Sequence, residues 1–263
     1  MTDDEPIIVA GDAHLGADNA DVDAFNGFLD DLLTGDLAAS KLVLLGDIWD
    51  MVRRDPFGCA LETSDTISRL TGLAESMPVH YVLGNHDSYL RNLDAGRYPI
   101  DFREQLVLES GDERIRFRHG NSFDRLQSDA LSSYLSGAGD RGDIDPTKGL
   151  KDPFVSRARE AIQQQKWLVR TAFAAVRGRE PAAPTSFPRR ERRAHSYLVT
   201  IPEDKLVYGH THTPYVHPDN VAANPGSWKS TAPLHNTYLG IQDGEIRLYQ
   251  HSESGAVELS AAV

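Results

Sequence analysis

The chain is short of cysteine, of lysine and of long apolar runs, and each shortage removes a class of protein. A single cysteine, Cys59, excludes a disulfide framework or a thiolate metal cage within one chain. That usage fits a reducing compartment. No apolar run approaches the roughly 20 residues a membrane-spanning helix needs; the first, residues 7–10, is a strand-length piece. Residues 1–6 are acidic where a secretory leader would be basic, so a cytoplasmic location is expected. Positive charge is scarce as well, with 27 Lys and Arg against 39 Asp and Glu and a formal net charge of −12. Nucleic-acid binding calls for a basic footprint, so that balance speaks against a nucleic-acid partner. Residues 141–193 run the other way, with 13 Lys and Arg against 6 Asp and Glu, and keep a nuclease open as the alternative.

What the chain does have is a globular core pattern. It spans 263 residues, 40% of them hydrophobic and 25% charged, which suits one large domain. The segment 41–50 (KLVLLGDIWD) organises the rest. Its unbroken apolar run predicts a strand buried on both faces. Gly46 breaks the run, and Asp47 stands on the turn that leaves it. Open α/β sheets place their chemistry at such carboxyl ends. Alone, Asp47 reads equally well as a turn residue.

Other segments repeat the arrangement. Strands are predicted over 6–10, 41–45 and 79–83, with helices over 21–34 and 62–76 between them. That alternation points to an α/β sandwich. Strands follow over 105–108 and 113–118, then 205–208, 215–217, 221–223, 234–241 and 245–250. Asp243-Gly244 supplies the turn signal of a two-residue hairpin. Between them, 122–200 lacks strand signals and reads as a helical insertion or cap within one domain spanning 1–263.

The strands end in ligand chemistry: Asp12-x-His14, Asp47-x-x-Asp50, Asn85-His86-Asp87, His119 and His210-x-His212. Carboxylate, imidazole and amide oxygen without thiolate suit hard or borderline divalent cations. There are more candidate ligands than one ion needs. Two ions roughly 3.5–4 Å apart would use them, with a carboxylate bridging the pair.

In this order the motifs resemble those of the calcineurin-like metallophosphoesterases, and Asn224-Pro225-Gly226-Ser227 resembles a further motif of that family. The likeness covers about residues 6–121 and 203–250. It implies two packed mixed β-sheets flanked by helices. It further implies that Asp12, His14, Asp47 and His212 hold one metal, and Asp47, Asn85, His119 and His210 the other. The expected cofactor is a pair of divalent ions, Mn²⁺ first, with Fe²⁺, Zn²⁺ and Ni²⁺ as alternatives. The activity implied is hydrolysis of a phosphate ester or nucleotide anhydride by a hydroxide that the cations generate. His86 would serve the leaving group, and Asp87 would orient its ring. The expected substrate is a small anionic phosphate ester, with a nucleotide conjugate among the candidates. In layout the chain is also similar to the UDP-2,3-diacylglucosamine pyrophosphohydrolases, which share Asp-x-His-Leu (here Asp12 to Leu15). Those enzymes typically carry Arg where this chain has His86.

Overall fold

The computed structural model describes residues 5–93, 95–121, 191, 194, 197–198, 201–252 and 254–260. Contacts divide the chain into two units, Met1–Phe123 with Glu203–Val263, and Asp124–Pro202. The described residues lie almost wholly in the first. The helical insertion expected over 122–200, and the basic stretch within it, fall outside the description apart from a few positions.

Two mixed sheets make up the first unit. One runs β12-β11-β10-β1-β2-β3-β4. Its strands are β1 (Ile7–Ala10), β2 (Lys41–Leu44), β3 (Val79–Val82), β4 (Asp101–Arg103), β10 (Thr237–Gln242), β11 (Glu245–Ser252) and β12 (Gly255–Leu259). β1 to β4 are mutually parallel, and β10 joins β1 antiparallel. The other sheet runs β5-β6-β7-β9-β8. It contains β5 (Leu106–Ser110), β6 (Glu113–Arg118), β7 (Lys205–Tyr208), β8 (Tyr215–Val216) and β9 (Ala222–Asn224). β6, β7 and β9 are parallel in it.

Side-chain alternation explains why the first strands are apolar throughout. In β1 and β2, Val9 and Val43 point between the sheets, where they meet Phe117, Val207 and Ala223. Ile8, Leu42 and Leu44 point the other way. They face Phe25, Phe28 and Leu29 of α1 (Val22–Thr34) and Leu70 and Leu73 of α3 (Ser64–Ser76). A strand with helices on one face and a sheet on the other has no solvent side, so it cannot show a polar alternation. Phe28 is fully buried against Trp228 and Tyr238. Burial of such a ring contributes roughly 1.5–3 kcal/mol.

The local signals match their elements. Asp21 caps α1 by accepting from the Ala24 N–H, and Gly35 closes it in the left-handed region. Asp243 and Gly244 both have positive φ, as a two-residue primed turn requires. Besides two short 3-10 helices, three elements were not anticipated: α2 (Pro56–Glu62), β4 and β12. Of α2 only Cys59 is buried, so no amphipathic period was there to read. β4 has three residues, and the side chains of β12 are half-buried or exposed. Among the described residues no helix is long and apolar enough to cross a membrane.

Candidate metal centre

Parallel pairing brings the chemistry together. β1, β2 and β3 are neighbours, so the loops leaving their carboxyl ends share one edge of the first sheet. β6 and β7 deliver His119 and His210 in the same way from the second sheet. The loops are laced by backbone bonds. Asp12 N–H donates to the Gly46 carbonyl at 3.0 Å, His14 N–H to that of Asp47 at 2.8 Å, and Gly209 N–H to that of His119 at 2.9 Å.

The backbone is strained where the ligand-type side chains stand. Asp12, His14, Asp47, His210 and His212 all have φ between 50° and 73°. Non-glycine residues rarely adopt that region, and such conformations cluster at functional sites. The glycines of these motifs make room for the carboxylates. A Cβ on Gly84 would lie 2.1 Å from Asp47 Oδ1, and one on Gly209 would lie 2.5 Å from Asp12 Oδ2.

Among the described residues three side-chain groups offer ligand atoms within a cation's span: Asp12–His14–His212, Asp47–His119–His210 and His14–Asp50–His86. The ring tautomers follow from their partners. A carboxylate or carbonyl only accepts, so the ring nitrogen facing it carries the proton. His14 Nδ1 faces Asp50 Oδ2 at 3.2 Å, His86 Nδ1 faces Asp50 Oδ1 at 2.7 Å, and His119 Nδ1 faces the Leu45 carbonyl at 2.8 Å. In each ring, when neutral, Nε2 then carries the lone pair and is directed inward, the usual arrangement for a metal-ligating histidine. His14 Nε2 lies 3.0 Å from His212 Nε2, and His119 Nε2 lies 3.1 Å from Asp47 Oδ2.

These inward atoms fit a cation. Asp12 Oδ1, Asn85 Oδ1 and His119 Nε2 are buried without a hydrogen-bond partner. Asp12 Oδ1 has His212 Nε2 at 3.2 Å and His119 Nε2 has Asp47 at 3.1 Å, but neither contact has hydrogen-bond geometry. Buried acceptors left unpaired cost stability, so a site that gathers several is built for something they can bind. Asn85 is tied to this cluster by its neighbours. The His86 N–H donates to Asp47 Oδ1 at 2.7 Å, and Gly84 abuts the same carboxylate.

The structure brings all seven expected ligand residues to this edge and changes one supporting role. The His86 ring is held by Asp50, not by Asp87. Asp87 instead accepts from the backbone N–H groups of Gly84 at 2.7 Å and Ile48 at 2.9 Å, and from the Tyr81 hydroxyl. It pins the Asp47 loop to the Asn85 loop. The adjacency of His86 and Asp87 in sequence suggested contact, but successive side chains leave a turn in different directions. Asp50 holds both His14 and His86, a coupling no spacing rule announces.

Electrostatics sort the carboxylates. Burial alone would raise Asp47, but the His119, His86 and His14 rings outweigh it and hold the carboxyl well below the usual range. Asp50 is likewise depressed, against burial, by hydrogen bonds from His14 and His86. Burial first and the charge of Asp47 second push Asp87 up to about 7, against the donors that favour its ionised form. Burial would lower His119, yet Asp47 and Asp12 raise it to about 10. A proton there occupies the position a cation would otherwise fill between ring and carboxylate. Burial lowers His14 and, with the charge of His119, also lowers His210.

Asn224 completes the frame. Fully buried, its amide donates to the Gly209 carbonyl at 3.2 Å and to Thr211 Oγ1 at 2.9 Å, holding the loop that carries His210 and His212. Its motif stands out in the sequence, but this task does not.

A family model described as calcineurin-like phosphoesterase matches residues 5–214. No curated protein matches the chain significantly. Solved structures similar to it include the phosphoesterase Yfce from E. coli, 16% identical over 98% of this chain and 100% of that one, with a TM-score of 0.47. A Vps29 single mutant from Entamoeba histolytica is 19% identical over 97% and 99%, with a TM-score of 0.45. A structure described as a novel archaeal phosphodiesterase is 14% identical over 97% and 99%, with a TM-score of 0.40.

Proposed function

The chain belongs to the calcineurin-like phosphoesterase family, and from that premise we propose that it hydrolyses a small phosphate ester, or a nucleotide anhydride, with two divalent cations held at the strand ends. The observation that carries this reading is the set of buried, unpartnered ligand atoms, Asp12 Oδ1, Asn85 Oδ1 and His119 Nε2, converging within one loop cluster. Asp12, His14 and His212 would hold one cation, and Asn85, His119 and His210 the other, with Asp47 between them. Such cations, when bound, supply Lewis-acid polarisation of the phosphoryl group and lower the pKa of water.

The protein's own groups supply the rest. Asp50 fixes the His14 and His86 rings so that each Nε2 faces the cluster. His86 is the candidate proton donor to the leaving oxygen. Burial would lower its pKa, but the hydrogen bond to Asp50 and the charges of Asp47 and Asp50 raise it, so a larger share of the ring is protonated at neutral pH. Asp87 is a positioning residue, holding the backbone that carries Asp47 and Asn85. A cytoplasmic location and Mn²⁺ as the first choice of metal belong to the same proposal.

The test is turnover. Protein loaded with Mn²⁺ should cleave an aryl phosphate or an aryl phosphodiester, chelation should abolish the activity, and Mn²⁺ should restore it. Metal-loaded protein inert toward monoesters, diesters, cyclic nucleotides and nucleotide-diphosphate conjugates would overturn the reading.

A further inference from the structure

Among the described residues two lysines are largely buried, and their amines are placed differently. Lys205 is 9% exposed, and its amine donates to Asn220 Oδ1 at 2.9 Å and to the Gly244 carbonyl at 2.6 Å. Lys229 is 8% exposed, yet among the described residues no carboxylate, carbonyl or hydroxyl bonds its amine. Its amine is not one of the fully buried unpartnered atoms, so it keeps access to solvent beside the ligand loops.

The position of Lys229 is set by the same frame. It follows Trp228, whose N–H donates to the Asp12 carbonyl at 3.3 Å, and it is bridged to Ala20 on the chain leaving His14. Asp50, Asp12 and Asp47 act electrostatically on its amine, and all three belong to the ligand loops. Burial first and the nearby Arg53 second weaken its hold on its proton. Arg53 pairs with Asp50 at 3.3 Å while its side chain stays 62% exposed. One cation therefore stands on a largely buried residue beside the cluster and a second at its rim.

We propose that Lys229 is the anchor for a non-bridging oxygen of the substrate's phosphoryl group, with Arg53 at the rim above it, and that the pair favours phosphomonoesters over phosphodiesters. This rests on the phosphoesterase reading of the site. A diester carries one negative charge, whereas a monoester at neutral pH carries about 1.5 to 2. An ammonium in a poorly screened setting discriminates by that difference. Among the described residues no acceptor competes for the amine, so the incoming anion completes its solvation.

The experiment titrates inorganic phosphate into Mn²⁺-loaded wild type, Lys229→Met and Lys229→Arg by calorimetry, with metal content measured on each. It also compares kcat/KM for an aryl phosphate and an aryl phosphodiester. Lys229→Met should weaken phosphate at least about tenfold and lower the monoester-to-diester ratio by a similar factor, with metals retained. Lys229→Arg should keep most of both. Unchanged affinity and ratio in Lys229→Met would overturn the inference, as would equal losses in the two variants or loss of metal in Lys229→Met. If Lys229→Met fails to fold, Arg53→Gln reads the same ratio, with a drop of about threefold expected and no drop overturning the proposal. Phosphate binding is read without turnover. An inactive protein that binds phosphate through Lys229 therefore defeats only the phosphoesterase reading. An active one with an unmoved ratio defeats only this inference.

Discussion

The two ends of the strands bury polar groups on opposite terms. At the end where β7 begins, Lys205 is bonded twice, and Asn220 takes a bond from the Ile246 N–H at 2.9 Å and gives one to the Ile246 carbonyl at 2.8 Å. Arg116 meets Glu203 through two bonds of 2.8 Å. At the other end, after β1, β3 and β6, the carboxylate atom Asp12 Oδ1, the amide atom Asn85 Oδ1 and the imidazole atom His119 Nε2 are buried with no partner. The first end closes its polar groups on each other and contributes to stability. The second leaves them open and is the end equipped to bind. Burial of polar groups is thus not one property; what separates the cases is whether the lone pairs are already used.

That contrast can be broken by substitution. The largest effect is expected from Asp47→Asn, which should lower kcat/KM by about 10³-fold or more and reduce bound metal with it. Metal analysis beside the kinetics checks this, and full metal content with unchanged kcat/KM would take Asp47 out of the site. His86→Ala should lower kcat by ~10²-fold or more while both cations stay bound; equal metal loss in the two variants would erase the proposed division of roles. At the closed end, Lys205→Met should cost about 1–3 kcal/mol in a denaturation experiment and leave kcat/KM near wild type. A loss of activity there without a loss of stability would reverse the assignment of the ends.

The smallest expected effect concerns Cys59. Burial pushes its thiol up to about 11, above the ordinary value near 8.5 that the unfolded chain would show. A raised folded-state pKa favours the native state below the unfolded value, and that contribution is lost as pH climbs through the window from about 9 to 11. An aromatic disulfide reagent at pH 8 should therefore label Cys59 only at the rate of unfolding. Fast labelling of native protein would show that the loop after His14, whose Leu15 carbonyl accepts from the thiol at 3.2 Å, opens on its own.

Much of this was legible in the chain itself. The apolar runs of β1 and β2 announced doubly buried strands. The Asp243-Gly244 pair announced a hairpin, and the order of the ligand motifs announced the family. Each rests on local chemistry: a period, a turn preference, a residue type at a strand end. α2 carried a local signal too, Asp55 before Pro56, but its single buried residue gave no helical stripe to support it.

Tertiary structure alone decided which side chains share partners. Asp50 rather than Asp87 holds His86, because the turn after β3 sends Asp87 inward to Tyr81 and Ile48 while the loop after β2 carries Asp50 beneath two imidazoles. Lys205 and Lys229 look alike in sequence, both near apolar residues, yet the amine of one is bonded by a distant turn and, among the described residues, that of the other is not. Sequence determines what each residue can donate, accept or bury. Partnership depends on distances between segments far apart in the chain, and those distances exist only once the two sheets have packed.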